Sequence, residues 1–386
     1  MFTGDIFNFA TIEGMLEAPG RKWHTHPPDV IPLWIADPDF PVAMEIKKAL
    51  LNCIHDEDLF YGFNEPTMAV MAEKVTRRNS LDASGEDILI TQGVIPAMWL
   101  AVNHACKTGD EVIATDPMYF HFYSAQEVTG TIPIRWNLNM EDGYNFDEEV
   151  LKELVTAKTK LIFVCNPHNP TGRVMTEKEL KAIADIAVDS EITVMSDELW
   201  EDIIFDGRKH ISLASLSPEI ERLTMTTWGF SKTFGVAGIR MGYSCATDEG
   251  MMANLKRISA DITRTTNNMA KAAAPVMLDH RLDWWRRDII THLEKIREIC
   301  YKRLDELPGV TYPKLEGTYL MFPKFDYDIV SDELQKYMLE VGKIAFTSGS
   351  EFGAQGEGHL RLCMATSEAV INEAFDRLEG ALSNLR

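Results

Sequence analysis

Short apolar runs alternate with amphipathic stretches through the middle of this 386-residue chain. Each run is too short for a buried helix, so we interpret the runs as buried strands. The predicted strands are Asp87–Thr91, Glu111–Ala114, Lys160–Cys165, Glu191–Met195 and Leu223–Thr227. Strands that alternate with helices form a parallel sheet with helices on its faces. The chain is therefore predicted to be an α/β protein, and its length predicts a large domain with a smaller one attached.

Helix signals support this pattern. Thr176 and Glu179 form a capping box for a helix that runs to about Val188. Pro96 suits the first turn of a helix from Pro96 to Lys107, because its missing N–H would be unpaired there in any case. Apolar spacings of three and four predict two more helices, Trp284–Leu307 and Ser367–Leu385.

Composition restricts the class of partner. The formal net charge is -21, which repels nucleic acid and anionic membrane surfaces. Six cysteines occur without a C-x-x-C pair, so neither a disulfide framework nor a metal site is indicated. The N-terminal segment has acids where a signal peptide would be basic, and no apolar run approaches membrane length. We expect a cytoplasmic protein without a membrane anchor.

The segment Gly229–Gly242, GFSKTFGVAGIRMG, is the most informative motif. A lysine that condenses with a carbonyl needs small neighbours, so that the carbonyl compound can approach the backbone. Lys232 follows Ser231 and precedes Gly235. An ordinary exposed lysine in a glycine-containing loop is the alternative, but it gives Ser231 and Arg240 no common purpose.

Other polar residues follow predicted strands, where open α/β sheets bind ligands. Gly93, Val94 and Ile95 form a strand-to-helix turn that suits an anion, although a plain turn has the same sequence. In NPHNPTG, Asn169 can present its amide as a hydrogen-bond donor, or it can merely cap a turn. Asp197, an acid at a strand end, can keep the nitrogen of a bound pyridine ring protonated, or it can cap a helix.

Together these strings resemble the class I/II aminotransferases, which are pyridoxal-phosphate-dependent enzymes of fold type I. The resemblance extends from WIADPDF at Trp34–Phe40 to GHLRL at Gly358–Leu362. It implies a large domain whose mostly parallel seven-stranded sheet is sandwiched by helices, and a smaller α+β domain. The implied division is an N-terminal segment, 1–45, that joins the small domain, a large cofactor domain, 46–282, and a C-terminal small domain, 283–386.

The resemblance also assigns roles. Lys232 is implied to form a Schiff base with pyridoxal 5'-phosphate and to move the substrate's α-proton. Its implied cofactor-binding partners are Gly93, Val94, Ile95, Tyr119, Asn169, Asp197, Ser231, Arg240 and, from a neighbouring subunit, Tyr61. Ala36, Asn169 and Arg361 are the implied substrate-binding residues. A homodimer with its site at the interface follows from Tyr61, and the implied substrates are an amino acid and a 2-oxo acid.

Two reaction types remain open, because the sequence resembles two branches of the family. Arg240 favours an aminotransferase. WIADPDF, YGF and GTYL resemble carbon-sulfur β-lyases of the cystathionine β-lyase type, and Trp200 departs from the tyrosine expected in aminotransferases related to the aspartate enzyme. We favour transamination and keep the lyase as the alternative. A non-catalytic relative is the third hypothesis, but Lys232, Asp197 and Arg361 are all retained. Trp34, Trp200, Phe120 and Phe122 suggest aromatic walls for the substrate pocket, or simple core.

Overall fold

The structure is a computed structural model that describes residues 6–385. Residues 1–5 of the predicted N-terminal segment and residue 386 of the predicted C-terminal domain therefore lie outside the described residues. The strands are β1 (Ile31–Pro32), β2 (Ile88–Thr91), β3 (Glu111–Asp116), β4 (Ile132–Asn137), β5 (Thr159–Cys165), β6 (Thr193–Asp197), β7 (Thr224–Gly229), β8 (Gly242–Cys245), β9 (Val310–Thr311), β10 (Leu320–Met321), β11 (Lys324–Phe325), β12 (Ile344–Ala345), β13 (Thr347–Ser348) and β14 (Leu360–Cys363).

Helices surround these strands throughout the described chain. They are α1 (Ile12–Glu17), α2 (Arg21–His24), α3 (Met44–His55), α4 (Glu65–Asn79), α5 (Val94–Ala105), α6 (Phe120–Thr129), α7 (Glu148–Leu154), α8 (Glu177–Asp189), α9 (Pro218–Leu223), α10 (Ser231–Phe234), α11 (Glu249–Ile262), α12 (Asn268–Leu278), α13 (Asp283–Asp305), α14 (Ser331–Tyr337) and α15 (Glu368–Asn384).

The central sheet has seven strands in the order β2-β8-β7-β6-β5-β3-β4. Five neighbouring strands from β7 to β4 are parallel, whereas β8 is antiparallel to both β2 and β7. Helices α5, α6 and α11 bury apolar residues on one face, and α7, α8 and α9 do so on the other. The predicted fold class is confirmed.

All five predicted strands are present, with ends that shift by a few residues. The local pattern did not reveal β4, which lies at the sheet edge and exposes Ile132 and Pro133. It also did not reveal β8, whose four residues follow the Arg240 turn. Edge exposure and short length both remove the apolar run on which a strand prediction depends.

The predicted helices are also present. The capping box of Thr176 and Glu179 starts α8, and α5 begins at Val94, two residues before the predicted Pro96. Helices α13 and α15 bury the apolar residues that their spacing predicted. Within residues 6–385, no helix combines the length and the low polarity that a membrane crossing requires.

The two ends of the chain meet in a smaller layer of structure. Strand β1 pairs in parallel with β12, and β10, β14 and β13 form a small antiparallel sheet. The buried pair of Lys22 and Asp39, whose charged atoms are 2.9 Å apart, fixes the segment that follows β1. This packing brings Ala36 from the beginning of the chain and Arg361 of β14 into the lining of one cavity.

Candidate active site

A cavity of about 900 Å³ lies where the carboxyl ends of the parallel strands meet the small layer. Eleven of the twelve predicted site residues line it. They are Ala36, Gly93, Val94, Ile95, Tyr119, Asn169, Asp197, Ser231, Lys232, Arg240 and Arg361. The cavity therefore brings together residues that lie in or next to eight different strands: β1, β2, β3, β5, β6, β7, β8 and β14.

The antiparallel strand β8 explains why the Arg240 turn meets the Gly93 turn. Gly242 is in register with Thr91 of β2 and with Gly229 of β7, so residues just before β8 lie beside residues just after β2. Gly93 has a φ of +111°, and a Cβ built there would lie 3.9 Å from Nη2 of Arg240. We call Gln92–Ile95 together with Arg240 the anion turn.

The anion turn has the chemistry of a phosphate site. The first N–H groups of α5 have no acceptor within the helix, and the helix end carries positive potential. The guanidinium of Arg240 makes no hydrogen bond or ion pair with any of residues 6–385 and points toward Gly93. Ser231, at the start of α10, adds a hydroxyl to the lining of the same cavity.

Lys232 has an amine suited to nucleophilic chemistry. Its Nζ donates a hydrogen bond to the carbonyl oxygen of Ala36 over 2.7 Å, and it lies 5.6 Å from the ring centre of Trp200. Burial lowers the pKa of Lys232 from 10.5 to about 8, although the charge of Asp37 opposes this shift. A larger fraction of the amine is therefore neutral near neutral pH than in an exposed lysine.

Asp197 is the buried acid at the end of β6. One carboxylate oxygen accepts the N–H of Leu199 over 3.0 Å. Burial raises the pKa of Asp197 from 3.8 to about 7, while the hydrogen bond from Leu199 partly offsets the rise. A cation placed against this carboxylate would favour its ionised form. The site is thus suited to a protonated ring nitrogen.

Arg361 is a buried cation in the cavity lining, and 5% of its surface is exposed. Its guanidinium donates to the backbone oxygen of Trp34 over 3.0 Å and to Oδ1 of Asn169 over 3.3 Å. These partners are neutral, so the charge is not balanced by a carboxylate hydrogen bond within the described chain. A carboxylate ligand would supply that balance in bidentate geometry.

The aromatic residues that the sequence offered as pocket walls divide into cavity lining and core. Trp34, Phe120 and Trp200 line the cavity, whereas Phe122 is fully buried and packs on Phe163. Tyr119 also lines the cavity, and burial raises the pKa of its hydroxyl. The sequence therefore identified three aromatic wall residues and one residue that belongs to the core.

Tyr61 is the predicted site residue that the structure does not bring to the cavity of its own chain. Its side chain is fully exposed, at 111% of the reference area. Leu59, Phe60 and Phe63 beside it are exposed by 62%, 81% and 84%. The segment 59–63 therefore presents aromatic side chains away from the chain that carries them.

Sequence reasoning missed two contributors. Thr347 pairs with Arg361 across β13 and β14, and its hydroxyl is 3.3 Å from the guanidinium. Asp37 lies close enough to Lys232 for the two charges to interact. Burial raises the pKa of the Asp37 carboxyl, and the charge of Lys232 opposes this shift. No local pattern marks Thr347, because only the pairing of two distant strands gives it a role.

One cluster near the site contains possible metal ligands: Glu198, Glu201 and His210. Each acid already has a cationic or hydroxyl partner. Glu198 accepts Ser212 and contacts His210 over 2.8 Å, and Glu201 pairs with the buried Lys74. This pairing gives Glu198 a structural role.

A pH-dependent labelling experiment tests the state of Lys232. We expect an amine-reactive reagent to modify Lys232 of the cofactor-stripped protein with a midpoint near pH 8, because only the neutral amine reacts. Peptide mapping by mass spectrometry measures the rate at each pH. Lys152 is the internal control, because Glu148 and Glu149 raise its pKa. Labelling of Lys232 with a midpoint at or above that of Lys152 would contradict the burial argument.

The fold and the cavity define the class of protein. A seven-stranded sheet of this order, with a lysine and a buried acid at its carboxyl edge and a buried arginine of the small layer in the same cavity, is that of the fold type I pyridoxal-phosphate-dependent enzymes. The model of the family "Aminotransferase class I and II" matches residues 31–378. The chain belongs to this family.

Individual relatives span both branches of the family. The chain is 33% identical to the aspartate aminotransferase of Pyrococcus abyssi, over 98% of this chain and 97% of the relative. It is 30% identical to the cystathionine beta-lyase PatB of Bacillus subtilis, over 92% and 93%. The crystal structure of cystalysin from Treponema denticola, which contains pyridoxal 5'-phosphate, superposes with a TM-score of 0.89 at 28% identity, over 95% and 96% of the two chains.

Proposed function

We propose that this protein is an aminotransferase that moves the amino group of an α-amino acid to a 2-oxo acid, with pyridoxal 5'-phosphate as cofactor. One observation carries the proposal. The amine of Lys232, the acid of Asp197, the amide of Asn169 and the guanidinium of Arg361 come from four segments and line one cavity. The family membership and its relatives support the same chemistry.

The residues present fit this cofactor. The anion turn and Ser231 would hold its phosphate, and Gly93 leaves room that a Cβ would fill beside Arg240. Asp197 would face the ring nitrogen, Asn169 the phenolic oxygen, and Tyr119 the ring face. When bound, the cofactor supplies a carbonyl that condenses with amines and a ring that accepts the electron pair released at the substrate's α-carbon.

The protein side of the reaction follows from these positions. Arg361 binds the substrate's α-carboxylate, helped by the backbone N–H of Ala36, and this orients the α-carbon toward Lys232. Nζ of Lys232 accepts the α-proton as a neutral amine and returns it as an ammonium group. Its lowered pKa, about 8, suits both roles near neutral pH.

A carbon-sulfur β-lyase is the second candidate function. It is favoured by the relationship to PatB and by Trp200, whose ring lies 5.6 Å from Nζ of Lys232 in place of a tyrosine hydroxyl. Arg240, which lies beside Gly93, favours transamination within the family. We therefore retain the aminotransferase as the first candidate.

Two assays separate the candidates. The first incubates a panel of amino acids with 2-oxoglutarate or pyruvate and measures the new amino acid. The second supplies cystathionine or S-alkyl cysteines without a 2-oxo acid and measures pyruvate and thiol. We expect amino transfer that depends on the acceptor. Thiol release without an acceptor, together with no amino transfer, would replace the first candidate with the second.

We also propose that the protein is a cytoplasmic homodimer in which Tyr61 reaches the phosphate in the partner's cavity. The exposed segment 59–63 adjoins α3, which exposes Leu51 and Ile54, and α12, which exposes Met269. An exposed apolar patch of this kind marks an interface.

The division into 1–45, 46–282 and 283–386 remains our proposal, and the pairing of β1 with β12 supports it.

Sedimentation tests the dimer. We expect the wild type at twice the chain mass of 43.6 kDa, and the double variant Phe60→Ser/Tyr61→Ser as a monomer with little bound cofactor. Tyr61→Phe is the matched control. It keeps the ring and the dimer but loses the hydroxyl, so its cofactor affinity should fall about fivefold. A wild-type monomer that is fully active would rule out the shared site.

A further inference from the structure

Residues 263–267 connect α11 to α12, and together with Asn268, the first residue of α12, we call them the connector. An ordinary helix connection needs only a cap, and Asn267 supplies it by accepting the N–H of Ala270 over 2.8 Å. The connector does more than this. Its other polar groups bind two separate parts of the molecule, the anion turn and the segment 58–64.

The first set of contacts holds the anion turn. Nε2 of Gln92 donates to the backbone oxygens of Thr263 and Thr265 over 3.3 and 3.2 Å. The hydroxyl of Thr266 donates to the backbone oxygen of Arg240 over 2.8 Å. Arg240 has a left-handed backbone, with a φ of 54°, so this bond fixes an unusual conformation.

The second set of contacts holds the segment that carries Tyr61. Nδ2 of Asn268 lies 3.2 Å from the backbone oxygen of Asp58, 2.9 Å from its carboxylate and 2.8 Å from the backbone oxygen of Phe60. The hydroxyl of Thr265 donates to Oδ1 of Asn64 over 2.9 Å. These bonds explain how a segment with exposed aromatic side chains keeps a defined conformation.

Gly62 shows how closely the segment 58–64 approaches the start of α12. A Cβ built on Gly62 would lie 2.7 Å from Oδ1 of Asn268, so a larger residue there would displace the amide. Nζ of Lys271, one turn along α12, donates to the backbone oxygen of Gly62 over 3.3 Å. The segment is therefore bound on both sides by the start of α12.

We infer that the connector is a brace that couples the anion turn to the segment 58–64, and that Asn268 is a positioning residue for cofactor binding. The inference rests on the proposed function, because it takes the anion turn as the phosphate site and the segment as the dimer surface. Asn268 touches neither the cavity nor the anion turn. It acts through Asn267 and Thr266, which hold the backbone of Ile239 and Arg240.

The test uses Asn268→Ala and Asn268→Asp, with Asn254→Ala as the matched control. Asn254 is on α11 and bonds His104, away from both braced parts. Each protein is stripped of cofactor and titrated with pyridoxal 5'-phosphate, at protein concentrations where sedimentation shows the dimer fully formed. Tryptophan fluorescence gives the dissociation constant, and competition by inorganic phosphate measures the anion turn by itself.

We expect Asn268→Ala to weaken cofactor and phosphate binding about tenfold, since the variant loses the amide that donates to Asp58 and Phe60 and orders the brace. Asn268→Asp should weaken binding more, because its carboxylate would face that of Asp58. If Asn268→Ala does not fold, Thr266→Val tests the half of the brace at Arg240, and it should weaken phosphate binding without altering dimer dissociation.

The outcomes separate the brace from the proposed function. If the wild type binds no pyridoxal 5'-phosphate, the proposed function fails and the brace fails with it. If the wild type binds the cofactor and Asn268→Ala binds it as tightly as Asn254→Ala does, the brace alone is wrong. Weaker dimerisation of Asn268→Ala with unchanged phosphate affinity in the dimer would also overturn the coupling, because the residue would then serve only the surface.

Discussion

Replacing Lys232 with alanine is expected to abolish the visible absorbance of the cofactor-bound protein and to lower turnover by about 10⁴-fold or more. The variant lacks the amine that both attaches the cofactor and moves the α-proton. Nζ donates one described hydrogen bond, to Ala36, so its loss should change stability little. Absorbance spectroscopy and steady-state kinetics with a saturating amino acid measure the two effects.

Lys232→Arg and Lys256→Ala are the controls for this change. Lys232→Arg keeps a cation at the site without a nucleophilic amine, so it should be as inactive as Lys232→Ala. Lys256 is a surface lysine that pairs with Glu86, and its replacement should leave spectrum and activity intact. Borohydride treatment of the wild type and peptide mapping should place the cofactor on Lys232. A label on another lysine would refute the assignment.

The second large effect is expected for Arg361→Ala, which should lower kcat/KM for amino acids about 10³-fold. The guanidinium is buried and bonded to neutral partners, so a substrate carboxylate loses its bidentate cation when the side chain is removed. Initial rates across a range of amino acid concentrations give kcat/KM. Arg361→Lys should recover only part of the loss, since an ammonium group lacks the planar fork.

Amines without a carboxylate provide the contrasting substrate for Arg361. The wild type should prefer an amino acid over the corresponding decarboxylated amine by a large factor, and Arg361→Ala should lose most of that preference. A general disturbance of the cavity would instead lower both rates in parallel. An unchanged preference in Arg361→Ala would show that another group binds the carboxylate.

The sequence predicted those parts of the site whose role depends on local backbone. Gly93, Asn169, Asp197 and Lys232 each follow a strand that an apolar run reveals, and all four line the cavity. The parallel sheet itself gathers the ends of its strands at one edge. The resemblance of GHLRL to a family motif supplied Arg361, which no local physical argument places there.

The remaining contacts depend on pairings between distant segments. Thr347 lies beside Arg361 only because β13 pairs with β14, and Arg240 meets Gly93 only because β8 is inserted between β2 and β7. The hydrogen bonds of the connector have the same origin. A sequence pattern describes one element at a time, so it contains no register between elements that fold together from different parts of the chain.

The cavity joins segments as far apart in sequence as Ala36 and Arg361, and this has a consequence for folding. Contacts between such distant residues form slowly, because a long loop must close before they contribute free energy. The cavity is complete only when the segment after β1 and the strand β14 have both joined the central sheet. Cofactor uptake therefore reports completion of the tertiary structure, and free cofactor stabilises the whole chain by mass action.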